Sequence, residues 1–166
     1  MNFIISKIGF ISFIIFTVIF VEGCGFFSHP SDQILEQRLR SHESEFNRLV
    51  VMLFEDSDIV RLSNENVFLS EGNRHISDER LREYRHLFDE LNLEKGIHRD
   101  GVNIVRLIAS SKGLFLAYSE KSYVYSKSEL NPIVNSLDEI ISRDRGDQST
   151  VYRKLKDNWY LYYASW

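Results

Sequence analysis

Few residues of this chain are of types that do chemistry, and most lack the spacing that chemistry needs. Cys24 is the only cysteine among 166 residues. It follows Val21-Glu22-Gly23 at the end of an apolar run, a place that belongs to no core. A thiol acts as nucleophile or acyl acceptor through its thiolate, so a lone exposed cysteine is the first candidate for modification. The five histidines, His29, His42, His75, His86 and His98, show no metal-ligand spacing. His86 falls beside Arg82 and Arg85 on the polar side of a predicted helix and reads as solvated. His42 interrupts an apolar stripe and reads as a core histidine. H-E-x-x-H, G-x-S-x-G, S-x-x-K and glycine-rich phosphate loops are all absent. Glu55, Asp56 and Asp58 cluster where a helix should end and read as a solvated loop. A hydrolytic carboxylate pair would have to come from Asp78, Glu79 or Asp100, and no spacing singles them out. No catalytic residue, metal ligand or cofactor is therefore expected.

Tyrosine offers a different kind of chemistry. Seven of the eight tyrosines lie between positions 118 and 163. If the surrounding strands pair as a meander, Tyr123 and Tyr125 share one face of their strand, and Tyr160 and Tyr162 share one face of theirs. Apolar area with a hydroxyl suits a binding surface, so these four form a candidate partner surface. The competing reading is cross-strand stacking that only stabilises the sheet.

The elements that must carry these residues follow from hydrophobic period. Ser31 and Asp32 open a helix with an N-cap and a first-turn acid. Leu35, Leu39, His42, Phe46, Leu49 and Leu53 continue it as one stripe, widened by Ile34, Val50 and Phe54. Ile59–Ser63 and Val67–Ser70 form a hairpin across Asn64-Glu65-Asn66. Ser77 caps a second helix with a staple of Ile76 on Leu81, a stripe of Leu81, Tyr84, Phe88 and Leu91, and Gly96 as its left-handed terminator. The period then changes to two. Asp100-Gly101 marks a type I′ hairpin. Turns at Ser111-Lys112-Gly113 and Glu120-Lys121 divide the following strands. Asn131-Pro132 interrupts the sheet, Ser136 and Glu139 cap a short helix, and residues 143–148 form an exposed loop. A last hairpin crosses Lys156-Asp157-Asn158. The order predicts an α+β domain over residues 31–166: one curved antiparallel sheet of six or seven strands, with two main helices on one face.

The first 23 residues follow export-signal logic, with Lys7 ahead of the apolar run Ile8–Val21. That run is short for a spanning helix, which takes about 20 residues. The alternative is an uncleaved anchor in which Lys7 snorkels to the interface. Val21-Glu22-Gly23-Cys24 resembles a bacterial lipobox, with Glu22 where a small uncharged residue is usual. The resemblance implies that residues 1–23 are removed, that Cys24 carries acyl chains, and that residues 24–30 tether the domain to membrane lipid. Gly25 after the cysteine, in place of Asp, implies an outer membrane, facing the periplasm, if the host is diderm. Ile76-Ser77-Asp78-Glu79-Arg80, Ala109-Ser110-Ser111-Lys112-Gly113-Leu114, Tyr123-Val124-Tyr125-Ser126 and Asn158-Trp159-Tyr160-Leu161-Tyr162-Tyr163 resemble a set of short bacterial lipoproteins with no assigned activity. Twenty basic and 24 acidic residues are interleaved, with a net charge of −4 and no cationic stripe, which argues against nucleic-acid binding. The expected function is a non-enzymatic envelope lipoprotein that binds an envelope protein or cell-wall component. An inhibitor or immunity lipoprotein is the second expectation, and a hydrolase with an unfamiliar carboxylate site the third.

Overall fold

The computed structural model describes residues 28–70, 76–114, 117–143 and 148–166. The export segment, Cys24, His75 and most of the 143–148 loop lie outside the described residues. Ser31 opens the first helix as expected, its Oγ accepting from Ile34 N at 3.3 Å. The single long helix is in fact two, α1 (Asp32–Ser41) and α2 (Glu43–Glu55). His42 leaves helical geometry at φ −125°, ψ 36°, yet its carbonyl still accepts from Phe46 N at 3.0 Å. The break lets Leu35 and Leu39, then Phe46, Leu49 and Leu53, each lie flat on a twisted sheet. His42 is thus a half-buried joint, not a core residue. Ile34 does not widen the stripe; it stands exposed beside His29 and Pro30.

Strands β1 (Ile59–Leu62) and β2 (Val67–Leu69) form the expected hairpin. Helix α3 (Asp78–Glu90) starts on Ser77, whose Oγ accepts from Arg80 N at 3.2 Å. Tyr84, Phe88 and Leu91 are buried as expected, together with Leu87. The left-handed terminator is Asn92 (φ 50°), not Gly96: Leu93 N reaches Phe88 O at 2.8 Å and Asn92 N reaches Asp89 O at 3.1 Å. Gly96 (φ 71°) instead sits in the turn before β3, where a Cβ would lie 2.1 Å from Leu62 O.

Next come β3 (Ile97–Arg99), β4 (Ile104–Leu114), β5 (Ala117–Ser126), α4 (Leu137–Arg143), β6 (Ser149–Lys156) and β7 (Trp159–Ser165). They complete one open antiparallel sheet in the order β2-β1-β3-β4-β5-β7-β6. The β3–β4 loop is not type I′, because only Gly101 takes a positive φ (129°) where that turn needs two. Both turns expected at Ser111-Lys112-Gly113 and Glu120-Lys121 are continuous strand. Ser111, Lys112, Glu120 and Lys121 find partners in Tyr118, Glu94, Arg106 and Asp138. The register of β4 on β5 shifts between Ile108 and Ser110. That bulge turns Ser110 toward the helices and Ser111 toward the other face.

The helices cover one face. There Phe46 packs on Tyr123 (ring centroids 4.6 Å) and on Trp159 (5.6 Å), inside a core that also takes Leu49, Leu53, Phe88, Leu107 and Leu161. The opposite face carries a smaller apolar cluster of Val124, Leu130, Tyr160, Tyr162 and Ala164, and none of the described helices packs on it.

Candidate functional site

Glu120 and Lys121, expected to form a turn, are neighbours on β5 and so point to opposite faces. Each is buried, at 5% and 0% exposure, and each anchors a network of charges.

On the helix face, Lys121 Nζ lies 2.7 Å from Asp32 Oδ1 and 2.6 Å from Asp138 Oδ1, and donates to Pro30 O at 2.9 Å. The contact with Asp32 is an ion pair without hydrogen-bond alignment, and Asp32 Oδ1 has no hydrogen-bond partner. The two carboxylates cap each other's helices: Asp138 Oδ2 accepts from Asp32 N (2.9 Å), and Asp32 Oδ2 accepts from Leu137 N (2.8 Å). Burial is the largest single effect on Asp138 and opposes its charge, but the hydrogen bond and charge of Lys121, together with the hydrogen bond from Asp32 N, outweigh it and hold that carboxyl below its usual range. Beside this lock, Arg153 Nη2 meets Glu36 Oε2 at 2.9 Å, which lowers the Glu36 carboxyl. A cavity of about 540 Å³ opens here, but the carboxylates and cations around it fasten α1 and α4 to the sheet.

His29 belongs to the same face. Its Nε2 lies 2.9 Å from Ser119 Oγ, its Nδ1 contacts Ser110 Oγ, and its ring meets Tyr163 edge-on at 5.8 Å. Burial, then the positive charges of Lys121 and Lys112, lower its pKa to about 4, against a smaller opposing effect from Glu94. The ring is therefore neutral at pH 7. Residues 29 and 30, expected as part of a loose tether, are packed against the sheet.

The helix-free face offers the better binding geometry. A cavity of about 420 Å³ runs across β1, β3, β4 and β5, lined by Arg61, His98, Arg106, Ile108, Tyr118, Glu120 and Trp166. Such a volume lies within the ligand-pocket range of about 300–1,000 Å³. Arg106 organises its floor. It forks onto Asp100, with Nη2 to Oδ1 at 3.0 Å and a contact from Nε to Oδ2. Its Nη1 donates to Glu120 Oε1 at 3.0 Å, and its Nη2 lies 2.6 Å from His98 Nδ1. Ser122 Oγ donates to the same Glu120 oxygen at 2.6 Å. Burial is the largest single effect on both charges and works against them, but the hydrogen bonds and charges of His98 and Arg106 together hold Asp100 low, and the Asp100 hydrogen bond with the charges of Glu120 and Asp100 holds Arg106 high. The guanidinium also lies over the Tyr162 ring at 5.0 Å. At one end of the cavity Tyr118 and Trp166 form a cross-strand pair through their backbones (2.8 and 2.9 Å), with ring centroids 4.8 Å apart. Trp166 remains 49% exposed.

The four tyrosines do not make one surface. Tyr123 and Tyr125 share the helix face, as their spacing predicts. Tyr123 is fully buried, donating to Leu35 O at 3.0 Å, and burial raises its pKa. Tyr125 packs edge-on against Phe54 and Trp159. Tyr160 and Tyr162 share the opposite face but are 3% and 8% exposed, screened by Lys154, Arg106, Tyr152 and Leu130. Only Tyr162 touches the candidate site. Asp78 and Glu79 are exposed in the first turn of α3, and Asp100 is engaged by Arg106 and His98. Asp56, expected in a solvated loop, is instead held by α3: it accepts from Arg80 Nε (2.7 Å) and Tyr84 Oη (2.8 Å). Among the described residues no group of three His, Cys, Asp or Glu side chains converges as metal ligands, and no helix is long and apolar enough to cross a membrane.

Sequence reasoning missed Arg61, His98, Arg106, Tyr118, Glu120 and Trp166 as a group. The signal was present in part: Arg106 interrupts the apolar run of β4, and a charge inside such a run must have a partner. No family model, curated protein or solved structure matches the chain.

Proposed function

We propose that this protein is a non-enzymatic binding module held at a bacterial envelope membrane by acyl chains on Cys24, and that the helix-free face of its sheet receives the partner. The observation that carries the reading is the cavity itself: a hydrogen-bonded charge cluster beside the Tyr118–Trp166 pair, on the face that no helix covers among the described residues. Interface anchors are typically aromatic and arginine side chains of this kind. The anchor reading rests on the lipobox resemblance and on the apolar run before it. Docking of His29 supports a short tether, since five residues beyond Cys24 reach roughly 17 Å at full extension. The domain would then stand close to the bilayer, on the periplasmic face of the outer membrane in a diderm host, and contact an envelope protein or cell-wall component.

The test uses the full chain in intact envelopes, with a photocrosslinking residue replacing Phe68, which is 54% exposed and pairs with Arg61 on that face. Intact mass should show a chain beginning at Cys24 and carrying two or three acyl chains, absent from Cys24→Ser. Two chains are what stable anchoring needs. A crosslinked envelope component should disappear with Trp166→Ala. An unlipidated species beginning at Met1, or a crosslink indifferent to Trp166, refutes the corresponding half.

A further inference from the structure

The cavity differs from a generic partner surface in three respects that together select a ligand. It crosses strands whose neighbours on both sides are already paired, so it has no open backbone edge to which a peptide could add as a strand. Apart from Tyr118 and Trp166, Ile108 is the one apolar side chain of its lining, which leaves little for the aliphatic anchors of a protein partner. Its polar groups are instead planar and joined to one another, Arg106 to Glu120 and to His98; a guanidinium has five N–H groups and a carboxylate about four acceptor sites, so they keep both donor and acceptor capacity beyond those bonds. The Tyr118–Trp166 pair stands at one side, Trp166 exposed and Tyr118 half-buried. A compact ring with an apolar C–H face and several hydroxyls matches that set: the aromatic pair takes the C–H face, and the planar polar groups take the hydroxyls.

Charge refines the choice. Arg106 faces two carboxylates, Asp100 and Glu120, and so offers a ligand no net positive charge. Arg61, beside His98 in the register of β1 on β3, is exposed and has no acidic partner among the described residues. A guanidinium fork left open at a pocket wall is matched by a carboxylate.

We infer that the Arg61–His98–Arg106–Glu120 cavity, flanked by Tyr118 and Trp166, recognises an acidic saccharide, its sugar ring on the aromatic pair and its carboxylate on Arg61. The inference rests on the binding-module reading and supplies its ligand class. Neither a covalent step nor a metal is involved.

The experiment is calorimetric titration of the full chain in a non-glycosidic detergent, with a glucuronate-containing disaccharide, the matching neutral disaccharide, and acetate. The acidic disaccharide should bind saturably in the micromolar to millimolar range, the neutral one about tenfold more weakly, the worth of roughly one charge-assisted hydrogen bond. Acetate should not bind measurably. Arg61→Gln should bring the acidic ligand down to the neutral one, and Trp166→Ala should abolish both. Both side chains are exposed, so unchanged melting temperatures check that the variants fold. Equal affinities that ignore Arg61→Gln would overturn the carboxylate, and absence of saccharide binding would overturn the ligand class. If saccharides fail while the Phe68-position crosslink persists and depends on Trp166, the partner is a protein and only this inference falls. If both fail, the binding-module reading falls with it.

Discussion

Lys121→Met is the sharpest test of how the helices are held. The substitution keeps the length of the apolar stem and removes the ammonium that joins Asp32 and Asp138. Breaking a buried pair by removing one partner costs about 3–5 kcal/mol, because the other charge stays buried. Here the two carboxylates differ. Asp138 is 43% exposed and can turn to water, whereas Asp32 is 8% exposed. Arg153 is the next cation to Asp32, 3.9 Å away, and Asp32 Oδ2 keeps its bond from Leu137 N. The loss therefore belongs at the low end, about 3 kcal/mol. For a domain of this size, between the ranges quoted for small and large domains, that is a drop of roughly 10–15 °C in Tm. Calorimetry of the full chain in detergent reads it directly. Asp32→Asn in the Lys121→Met background removes the stranded charge and should recover part of the loss. A single variant melting within about 2 °C of the wild type would refute the reasoning. So would a double variant whose loss equals the sum of the two single ones, because the residues would then be uncoupled.

Phe88 is 1% exposed and ties α3 to the core, so Phe88→Ala should cost about 3–5 kcal/mol; an unchanged melting temperature would mean that another face of α3 is buried. His29 sets a pH dependence. Its folded pKa of about 4 lies below the ordinary 6.5, so its contribution is complete above pH 6.5 and is lost as pH falls through about 4. With solvent screening of a partly exposed ring, the loss is about 1–2 kcal/mol. Between pH 6.5 and 4.5 the wild type should therefore lose more Tm than His29→Gln, and parallel curves for the two proteins would show that the ring is not docked neutral.

What the sequence determined by itself lies within a few residues of each signal. Ser31 and Ser77 cap the helices they precede, the spacing of Tyr84, Phe88 and Leu91 marks the buried side of α3, and Asp157-Asn158 turns the last hairpin. Each depends on hydrogen bonds or periodicity that close within a turn or two of chain, and the alternation of faces followed from strand geometry alone, as for Tyr160 and Tyr162. The tertiary structure decided everything that depends on a distant partner. Glu120-Lys121 reads as a turn because two adjacent charges normally seek water. It is the middle of a strand because Asp32, Asp138 and Pro30 arrive on one side, and Arg106 on the other. Likewise Asn92 displaced Gly96 as the helix terminator, because Gly96 was needed where the backbone of Leu62 leaves no room for a Cβ. The candidate site was illegible for the same reason. Its residues come from four strands and from Trp166 after β7, and none has meaning until pairing sets them on one face. A charge is cheap to bury only where its counter-charge is already in place, and the fold alone brings the two together.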